Sequence, residues 1–455
     1  MTSARFWFAA IALICVATIA AAQGFDDIFG ETDSDGTTDS STDSGASFGV
    51  DINGDIGVQF DYYFDNEWDS EVEMRPTADI DIVASADSAS ALLSLDVATS
   101  EADDGALSGN LIDELSVTSF FGAGRLTAGL TRIEWGSGDG IHAIDVLNPI
   151  DQTNGPVADY LSSRRAEAML DLNLYLGSSG NLELVYKPFF HPTEVAMSGR
   201  WMVVDPATIP GFSSITPVDV RTLRYSQGAV RLSGSIGPAD LGVMYYYGFM
   251  PEPGYEFTTT FLGGDPMDPA NYLTTAELVY TRGQLFGGDV AAALGPFTVR
   301  AEAGYWLSED TDGTAPERYN SRLVYLGGFD VSIPGTTAFV SAQVQGSWTV
   351  NATDLDATDV DRFRLYEDFD TSHLIVAAVE APFARDTMNI RIAGMYAPEA
   401  RGYIIMPEYS WTIADGVELG LSGKVIGGKE LGSANSPYYA WRDNDSVSVS
   451  VRYQF

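Results

Sequence analysis

The 455-residue sequence contains three histidines, His142, His191 and His373. No two of them have the spacing of a zinc motif, and the single cysteine, Cys15, lies in an apolar N-terminal run. The only Gly-x-Gly stretch that attracts attention, at 122–124, is typical of a hairpin turn and not of a phosphate-binding loop. We therefore expect no enzyme, no cofactor and no metal site.

Charged residues recur at every second position of extended segments, opposite apolar residues. In the first segment Val50, Ile52 and Ile56 share one face, because side chains alternate between the two faces of a strand. The charged positions are acidic early in the chain and mostly basic later, and they include Asp51, Asp55, Asp61, Asp79, Asp81, Glu183, Arg231, Arg300, Glu302, Arg322, Arg391, Lys424 and Arg452. Around a closed sheet the two signs would line different arcs and create a transverse field that selects ions. Alternatively, they would pair into salt bridges that stiffen the wall.

A connection rich in Trp, Gly, Asp and Asn follows the fifth extended segment. Its characteristic residues are Trp135, Gly136, Asp139, Asp145, Asn148, Pro149 and Asp151. Trp135-Gly136 indicates a strand end that bends sharply, and Asn148-Pro149 favours a turn. This loop could fold into a lumen and narrow it, pack at a barrel rim as a structural element, or bind a ligand.

A second polar connection, at 351–368, is dominated by carboxylates. Its charged residues are Asp354, Asp356, Asp359, Asp361, Arg362, Arg364, Glu367 and Asp368. Clustered carboxylates could bind divalent cations. The alternative, which we favour, is an acidic loop that is simply solvated.

Eighteen extended segments must position these residues. They lie at about 48–64, 71–84, 89–100, 111–121, 124–135, 164–176, 180–189, 221–236, 239–250, 274–294, 296–308, 320–333, 336–350, 369–384, 387–398, 402–413, 416–427 and 443–455. Tight turns with Gly, Pro or Asp alternate with long polar connections, as in a barrel with short turns at one end and loops at the other. The least regular segments are 71–84, interrupted by Pro76, and 221–236, where the alternation slips near Gln227.

The apolar faces of these segments have no amphipathic helix to cover them. The pattern therefore predicts an all-β protein, a transmembrane antiparallel up-and-down barrel of about eighteen strands with apolar residues facing lipid and polar residues facing a lumen. Sixteen strands would require two segments to be loop. An even number of strands puts both termini in the periplasm. Trp411, Tyr409 and Tyr403 share one outward face and fit an interfacial aromatic girdle.

The N-terminal region differs from the rest in composition. An apolar run after Arg5 that closes on Ala20-Ala21-Ala22 predicts a signal peptide at 1–22. Residues 23–47 read as an acidic, disordered periplasmic linker, with seven carboxylates between Gly24 and Ser47 and no basic residue. The barrel then spans 48–455. With 64 acidic and 24 basic residues, a nucleic-acid partner is excluded.

The last strand carries a family resemblance. Val447, Val449, Val451, Tyr453 and Phe455 share one face of it. The ending resembles the C-terminal strand of bacterial outer-membrane barrels, in which a terminal aromatic residue is recognised by the barrel assembly machinery. This resemblance implies that Tyr453 and Phe455 form an assembly signal and that the chain resides in the outer membrane.

The stretch at about 130–190 also resembles an uncharacterised family of porin-like outer-membrane barrels. Their W-G-x-x-D … N-P-x-D loop matches Trp135, Gly136, Asp139, Asn148, Pro149 and Asp151. That resemblance implies a fold and a location, and no substrate.

We expect an outer-membrane channel for the diffusion of small hydrophilic solutes, with outer-membrane lipid, the assembly machinery and those solutes as partners. A transporter of hydrophobic compounds is one alternative, because several inward positions are aromatic or Met: Tyr63, Met169, Tyr175, Met244, Tyr246, Met395 and Met406. A surface-exposed structural or adhesive barrel is the other.

Overall fold

A computed structural model gives the fold, and it describes residues 48–64, 72–98, 111–156, 163–203, 212–268, 271–355, 359–367, 369–431 and 436–455. The predicted signal peptide and linker, at 1–47, lie outside the described residues. No helix in the described ranges is long and apolar enough to cross a membrane.

Eighteen long strands form one sheet: β1 (Gly49–Tyr63), β2 (Val72–Ala86), β3 (Ala89–Ala98), β4 (Ile112–Phe121), β5 (Gly124–Thr131), β7 (Glu167–Leu176), β8 (Gly180–Lys187), β11 (Gln227–Ile236), β12 (Ala239–Phe249), β15 (Arg282–Leu294), β16 (Phe297–Ser308), β17 (Arg322–Ser332), β18 (Phe339–Thr349), β19 (Thr371–Phe383), β20 (Met388–Ala397), β21 (Gly402–Ala414), β22 (Val417–Gly428) and β23 (Ser446–Gln454). Five shorter strands lie in the connections: β6 (Asp151–Gln152), β9 (Glu194–Val195), β10 (Phe212–Thr216), β13 (Gly254–Phe261) and β14 (Tyr272–Val279). Single turns of helix occur at Leu223–Tyr225, Ala352–Asp354, Val360–Phe363 and Pro437–Ala440.

The sheet closes on itself as an antiparallel barrel. Each long strand pairs with the next one along the chain, and β1 pairs with β23 in a register that places Val58 opposite Val451. Beyond β23, Phe455 and Gly54 exchange two backbone hydrogen bonds of 3.0 and 3.2 Å. The predicted eighteen-stranded all-β barrel is therefore confirmed. The placement of its termini in the periplasm stays a prediction.

The outer face of the wall is apolar and the inner face is polar or packed. Along β23, Val449 and Tyr453 point outward and are about half exposed, whereas Ser446 and Ser448 point inward and are buried. Trp411 and Tyr403 are outward and exposed as predicted. This arrangement is the inverse of a soluble β-protein, in which the apolar face would be covered.

Two segments were correct in position and wrong in extent. The segment at 274–294 is two strands, because β14 ends at Val279 and pairs with β10 and β13 in a separate three-stranded sheet, and the chain joins the barrel only with β15. The strand at 221–236 begins only at Gln227, after the single helical turn Leu223–Tyr225. In contrast, Pro76 does not interrupt β2, where it lies opposite Val58 of β1.

Short and long connections alternate around the barrel, as predicted. Tight turns follow β11, β15 and β21, and their Gly237, Gly295 and Gly416 have positive φ angles of 62°, 66° and 69°, which glycine adopts without strain. The long connections emerge at the opposite end. Two of them, after β5 and after β8, turn back into the barrel, and they shape the site.

Candidate functional site

In the connection after β5, residues 132–156 and 163–166, hereafter the first inward segment, wrap around one carboxylate of the opposite wall. Glu302 projects inward from β16, with both oxygens facing this segment. Its Oε1 accepts hydrogen bonds from the backbone N–H groups of Ser137 (2.8 Å) and Gly138 (2.7 Å). Its Oε2 accepts from the N–H groups of Ala143 (2.6 Å) and Ile144 (3.2 Å). Glu302 is 3% exposed, so these bonds form away from water, where charge-assisted hydrogen bonds are strong.

His142 completes the ring of groups around Glu302. Its Nδ1 lies 2.9 Å from Glu302 Oε1, and its Nε2 lies 2.8 Å from an oxygen of Glu134. Burial by itself would lower the pKa of His142. The hydrogen bond and charge of Glu302, together with Asp145 and Glu134, outweigh burial and raise this pKa above its usual value. A protonated imidazole between two carboxylates therefore holds the segment at low pH.

Further contacts carry the segment to the far side of the lumen. The N–H of Asp139 donates to Gln343 Oε1 (3.0 Å), and the amide of Gln343 donates back to the Asp139 carbonyl. Gln345 Nε2 donates to the carbonyl of His142 (2.7 Å). Both glutamines are on β18, eight strands away from β5 in the closed sheet. The segment thus spans the interior and is a constriction loop, one of the alternatives left open by the sequence.

The motif residues build this segment from within. The indole N–H of Trp135, fully buried, donates to Glu183 (2.9 Å). The side chain of Asn148 accepts from the N–H of Ile133 (2.9 Å) and donates to the carbonyl of Arg165 (2.8 Å), which ties the two ends of the segment together.

The remaining motif residues serve the same purpose. Asp145 lies 3.6 Å from Arg164, and Asp151 accepts from the N–H of Thr153 (2.9 Å). The carbonyl of Pro149 accepts from the N–H of Arg165 (3.0 Å). Gly136 has a φ of 121°, and a Cβ there would lie 2.3 Å from Glu302 Oε1. These contacts join the motif to the wall and to the rest of the segment, and a ligand-binding role for it stays untested.

One face of the first inward segment forms an apolar core with the neighbouring wall inside the lumen. Trp135, Ile144 and Leu147 pack among inward side chains of the neighbouring wall. Those wall residues include Met169, Val185, Met244, Tyr246, Leu285 and Trp306. Three inward residues that favoured a transporter of hydrophobic compounds, Met169, Met244 and Tyr246, are thus used to seat the segment. The sequence could not identify this core because its two halves are distant along the chain.

The connection after β8 provides a second inward segment, at 188–203. Its Trp201 packs edge-on against Trp441, with ring centroids 5.9 Å apart, and accepts the indole N–H of Trp441 at its carbonyl (2.8 Å). Lys424 donates to the carbonyl of Pro156 (3.0 Å) and lies 4.9 Å from the Trp201 ring. Strands β6 and β9 pair in parallel and join the two inward segments.

A cavity of about 740 Å³ remains between the first inward segment and the wall formed by β18 to β21. Its charged lining includes Arg164, Arg300, Glu380 and Arg391. The facing wall is apolar and consists of Leu374, Val376, Ala378, Ala393, Met395, Ile404 and Met406. This cavity therefore lies inside the barrel, beside the first inward segment.

The predicted lumen charges lie on the inner face, and most are paired. The pairs are Asp61–Arg75 (2.5 Å), Asp55–Arg452 (3.3 Å), Arg231–Asp289 (3.0 Å), Arg300–Asp330 (2.6 Å) and Arg322–Glu252 (3.4 Å). Asp51, Asp79, Asp81 and Arg391 have no ion pair within 4.0 Å among the described residues. Asp79 stands between Asp55 and Asp96 on adjacent strands, which leaves an acidic row on β1 to β3. The ion pairs agree with the alternative in which the charges stiffen the wall, and a transverse field that selects ions stays a prediction.

The carboxylate-rich connection after β18 is not simply solvated, which corrects our expectation. Asp361 is fully buried and accepts the N–H of Asn320 (2.8 Å), and Asp359 caps the helical turn that follows it. Burial raises the pKa of Asp361 to about 6, although the Asn320 hydrogen bond and Arg322 oppose it. Asp356 and Asp368 lie outside the described residues. No group of three potential metal ligands occurs in the part of the chain that is described.

Comparison with known proteins finds similar structures only. No protein-family model matches the sequence, and no curated protein matches it. The outer membrane channel DcaP of Acinetobacter baumannii is similar over 90% of this chain and 97% of its own, with 10% identity and a TM-score of 0.43. OccK11 (OpdR) of Pseudomonas aeruginosa matches over 90% and 96%, with 10% identity and a TM-score of 0.47. A mutant of the Rh. blastica porin matches over 89% and 100%, with 11% identity and a TM-score of 0.36.

Proposed function

We propose that the protein is an outer-membrane channel through which small hydrophilic solutes diffuse, with a passage narrowed by the two inward segments. The observation that carries the proposal is the cavity of about 740 Å³ that persists beside the constriction and has charged groups along one side. A barrel with a purely structural role would not need an open space of this size in its lumen. Channels, in contrast, need a narrow and chemically defined passage.

The outer surface supports a membrane location. Apolar side chains such as Ile52, Phe60, Val449 and Tyr453 are exposed around the wall, and in water this surface would be a large uncovered apolar patch. Acyl chains remove that cost, since burial of apolar area stabilises by about 25 cal/mol per Å². Outer-membrane lipid is therefore the proposed solvent of the outer wall.

A transporter of less polar compounds is the second candidate. Met395, Ile404 and Met406 belong to the apolar side of the cavity, and the same side chains pack in a cluster with Ala196 and Trp201 of the second inward segment. Leu374 and Val376 also line this side of the cavity and are not part of that cluster. This wall favours solutes with an apolar part.

Reconstitution of the mature chain tests the proposal. We expect discrete current steps in KCl across a planar bilayer, and swelling of proteoliposomes in small sugars. Uptake of octanoate that greatly exceeds uptake of sugars would favour the second candidate. A folded barrel, identified by its heat-modifiable mobility on gels, that neither conducts KCl nor admits any of these solutes would contradict both.

A further inference from the structure

A second cavity, of about 270 Å³, opens on the side of the constriction where the long connections lie. Its charged lining comprises three guanidinium groups, of Arg164, Arg322 and Arg364, and two carboxylates, of Asp145 and Glu252. Positive charge is thus in excess in a space large enough for a small organic molecule.

Arg322 is held rigidly at the edge of this cavity. Its side chain is 5% exposed, and its guanidinium lies 5.8 Å from the ring centre of Trp306. Only Nη2 approaches an acceptor, at 3.4 Å from Glu252. Nε and Nη1 have no hydrogen-bond partner among the described residues. Buried donors without acceptors are costly, by about 1–3 kcal/mol each and more for charged groups.

Arg364 reaches the same carboxylate from the connection after β18. Its guanidinium lies 5.3 Å from the ring centre of Tyr319, and its Nη2 lies 3.7 Å from Glu252. Its Nη1 likewise has no partner in the described part of the chain. Glu252 is therefore the shared partner of Arg322 and Arg364. Three of their nitrogen atoms, Nε and Nη1 of Arg322 and Nη1 of Arg364, remain available to donate to another acceptor.

We propose that Arg322 and Arg364 bind the carboxylate of an organic solute as it enters the passage, an inference that rests on the proposed channel function. Guanidinium groups fixed on aromatic rings are suited to planar oxyanions. Arg164, Gln345 and Leu374 line both the small cavity and the larger one, so the two cavities adjoin each other. Beyond the arginines a solute meets the apolar wall. The site thus fits an anion with a carboxylate at one end and a compact apolar body.

Benzoate is a suitable probe, with benzyl alcohol and inorganic phosphate as controls for charge and shape. In planar bilayers carrying KCl current, benzoate should block the parent channel in a concentration-dependent manner, and benzyl alcohol should not. Arg322→Gln and Arg364→Gln should each raise the half-blocking concentration about tenfold, since each removes a charge-assisted contact. Arg364 is the more exposed of the two, so its variant tests the site even where Arg322→Gln does not fold.

Arg401→Gln is the matched control, because Arg401 pairs with Glu367 at an exposed position outside both cavities. Its block by benzoate should equal that of the parent. Equal block in the parent and both site variants, or equal block by phosphate and benzoate, would overturn the carboxylate site. Normal KCl current without any effect of benzoate would do the same and leave the channel proposal intact, whereas absence of KCl current would contradict the channel itself.

Discussion

Glu302 is the residue on which the constriction depends most. Its carboxylate accepts hydrogen bonds from four backbone N–H groups and lies against the His142 ring, all within the first inward segment. The sequence identified Glu302 as an inward-facing charge on its strand. It could not identify the partners, because they lie about 160 positions earlier in the chain and present backbone groups that leave no trace in residue type. In contrast, the structural importance of Trp135 and Asn148 was visible as a motif.

Replacing Glu302 by Gln should release the first inward segment. The amide has one acceptor atom instead of two and no charge, so we expect a loss of about 3 kcal/mol in the free energy of unfolding. Denaturant titration in detergent micelles measures this loss, and single-channel recording should show larger and noisier currents. Glu309→Gln, at an exposed position paired with Arg318, is the matched control and should change neither. Unchanged stability and current in Glu302→Gln would refute the anchoring role.

His142 should make the seating of the segment dependent on pH. Its folded pKa is raised above the ordinary value of 6.5, so its contribution is fully present below about pH 6.5 and is lost as pH rises through the folded pKa. The carboxylates that face His142 are Glu302, Glu134 and Asp145, and the comparison is made between pH 6 and pH 9.

The measurement compares unfolding free energies of the parent and His142→Gln across that range. The parent should exceed the variant by more at pH 6 than at pH 9. A difference that stays constant, or that grows with pH, would show that protonated His142 does not stabilise the segment.

At the scale of elements, strands were predictable and breaks between them were not. The period-two pattern identified all eighteen barrel strands, because a wall between lipid and lumen needs opposite polarity on its two faces. Only two residues separate β14 from β15, and both strands have the composition of extended chain. The boundary between the strand of the small sheet and the barrel strand was therefore not predictable. Pro76 also failed to mark a break, although a proline in a strand removes a backbone donor.

Gly136 should be essential to the shape of the first inward segment. At a φ of 121°, Gly136→Ala would place a methyl group 2.3 Å from Glu302 Oε1 and 2.7 Å from His142 Nδ1. We expect a loss of about 2 kcal/mol in stability, from strain and displaced hydrogen bonds, together with increased current.

Gly140→Ala is the control within the same segment. Gly140 also has a positive φ, of 76°, but a Cβ there meets no atom within 4 Å. Its cost should be about 1 kcal/mol, from backbone strain alone, with current unchanged. Equal effects of the two substitutions would show that positive φ, and not the contact with Glu302, decides the stability of the segment.

At the scale of the whole molecule, charge is distributed unevenly around the lumen. The acidic row lies on β1 to β3, and Arg300 lies on β16, on the other side of the closed sheet. Arg300 is paired with Asp330, so its field is largely offset. Arg391 has no ion pair within 4.0 Å in the described ranges, although Glu380 and Glu408 lie opposite it on the two neighbouring strands, so its charge is offset less closely than that of Arg300.

Ion selectivity should therefore respond more to Arg391→Gln than to Arg300→Gln. Reversal potentials in a KCl gradient should shift toward cations in both variants, and by more for Arg391→Gln, because no carboxylate of the described residues lies within 4.0 Å of its guanidinium, whereas Asp330 lies 2.6 Å from that of Arg300. Equal shifts would contradict the role assigned to pairing. Unchanged reversal potentials in both would contradict any influence of these charges on permeation.

The parallel pairing of β6 with β9 has a mechanical consequence. Asp151 and Gln152 of one inward segment are held to Glu194 and Val195 of the other, and the N–H of Glu194 donates to the carbonyl of Ile150 at 2.9 Å. The two inward segments are consequently linked, and neither can move without breaking this link or moving the other. A barrel built in this way should switch between a few distinct current levels and should not open by degrees.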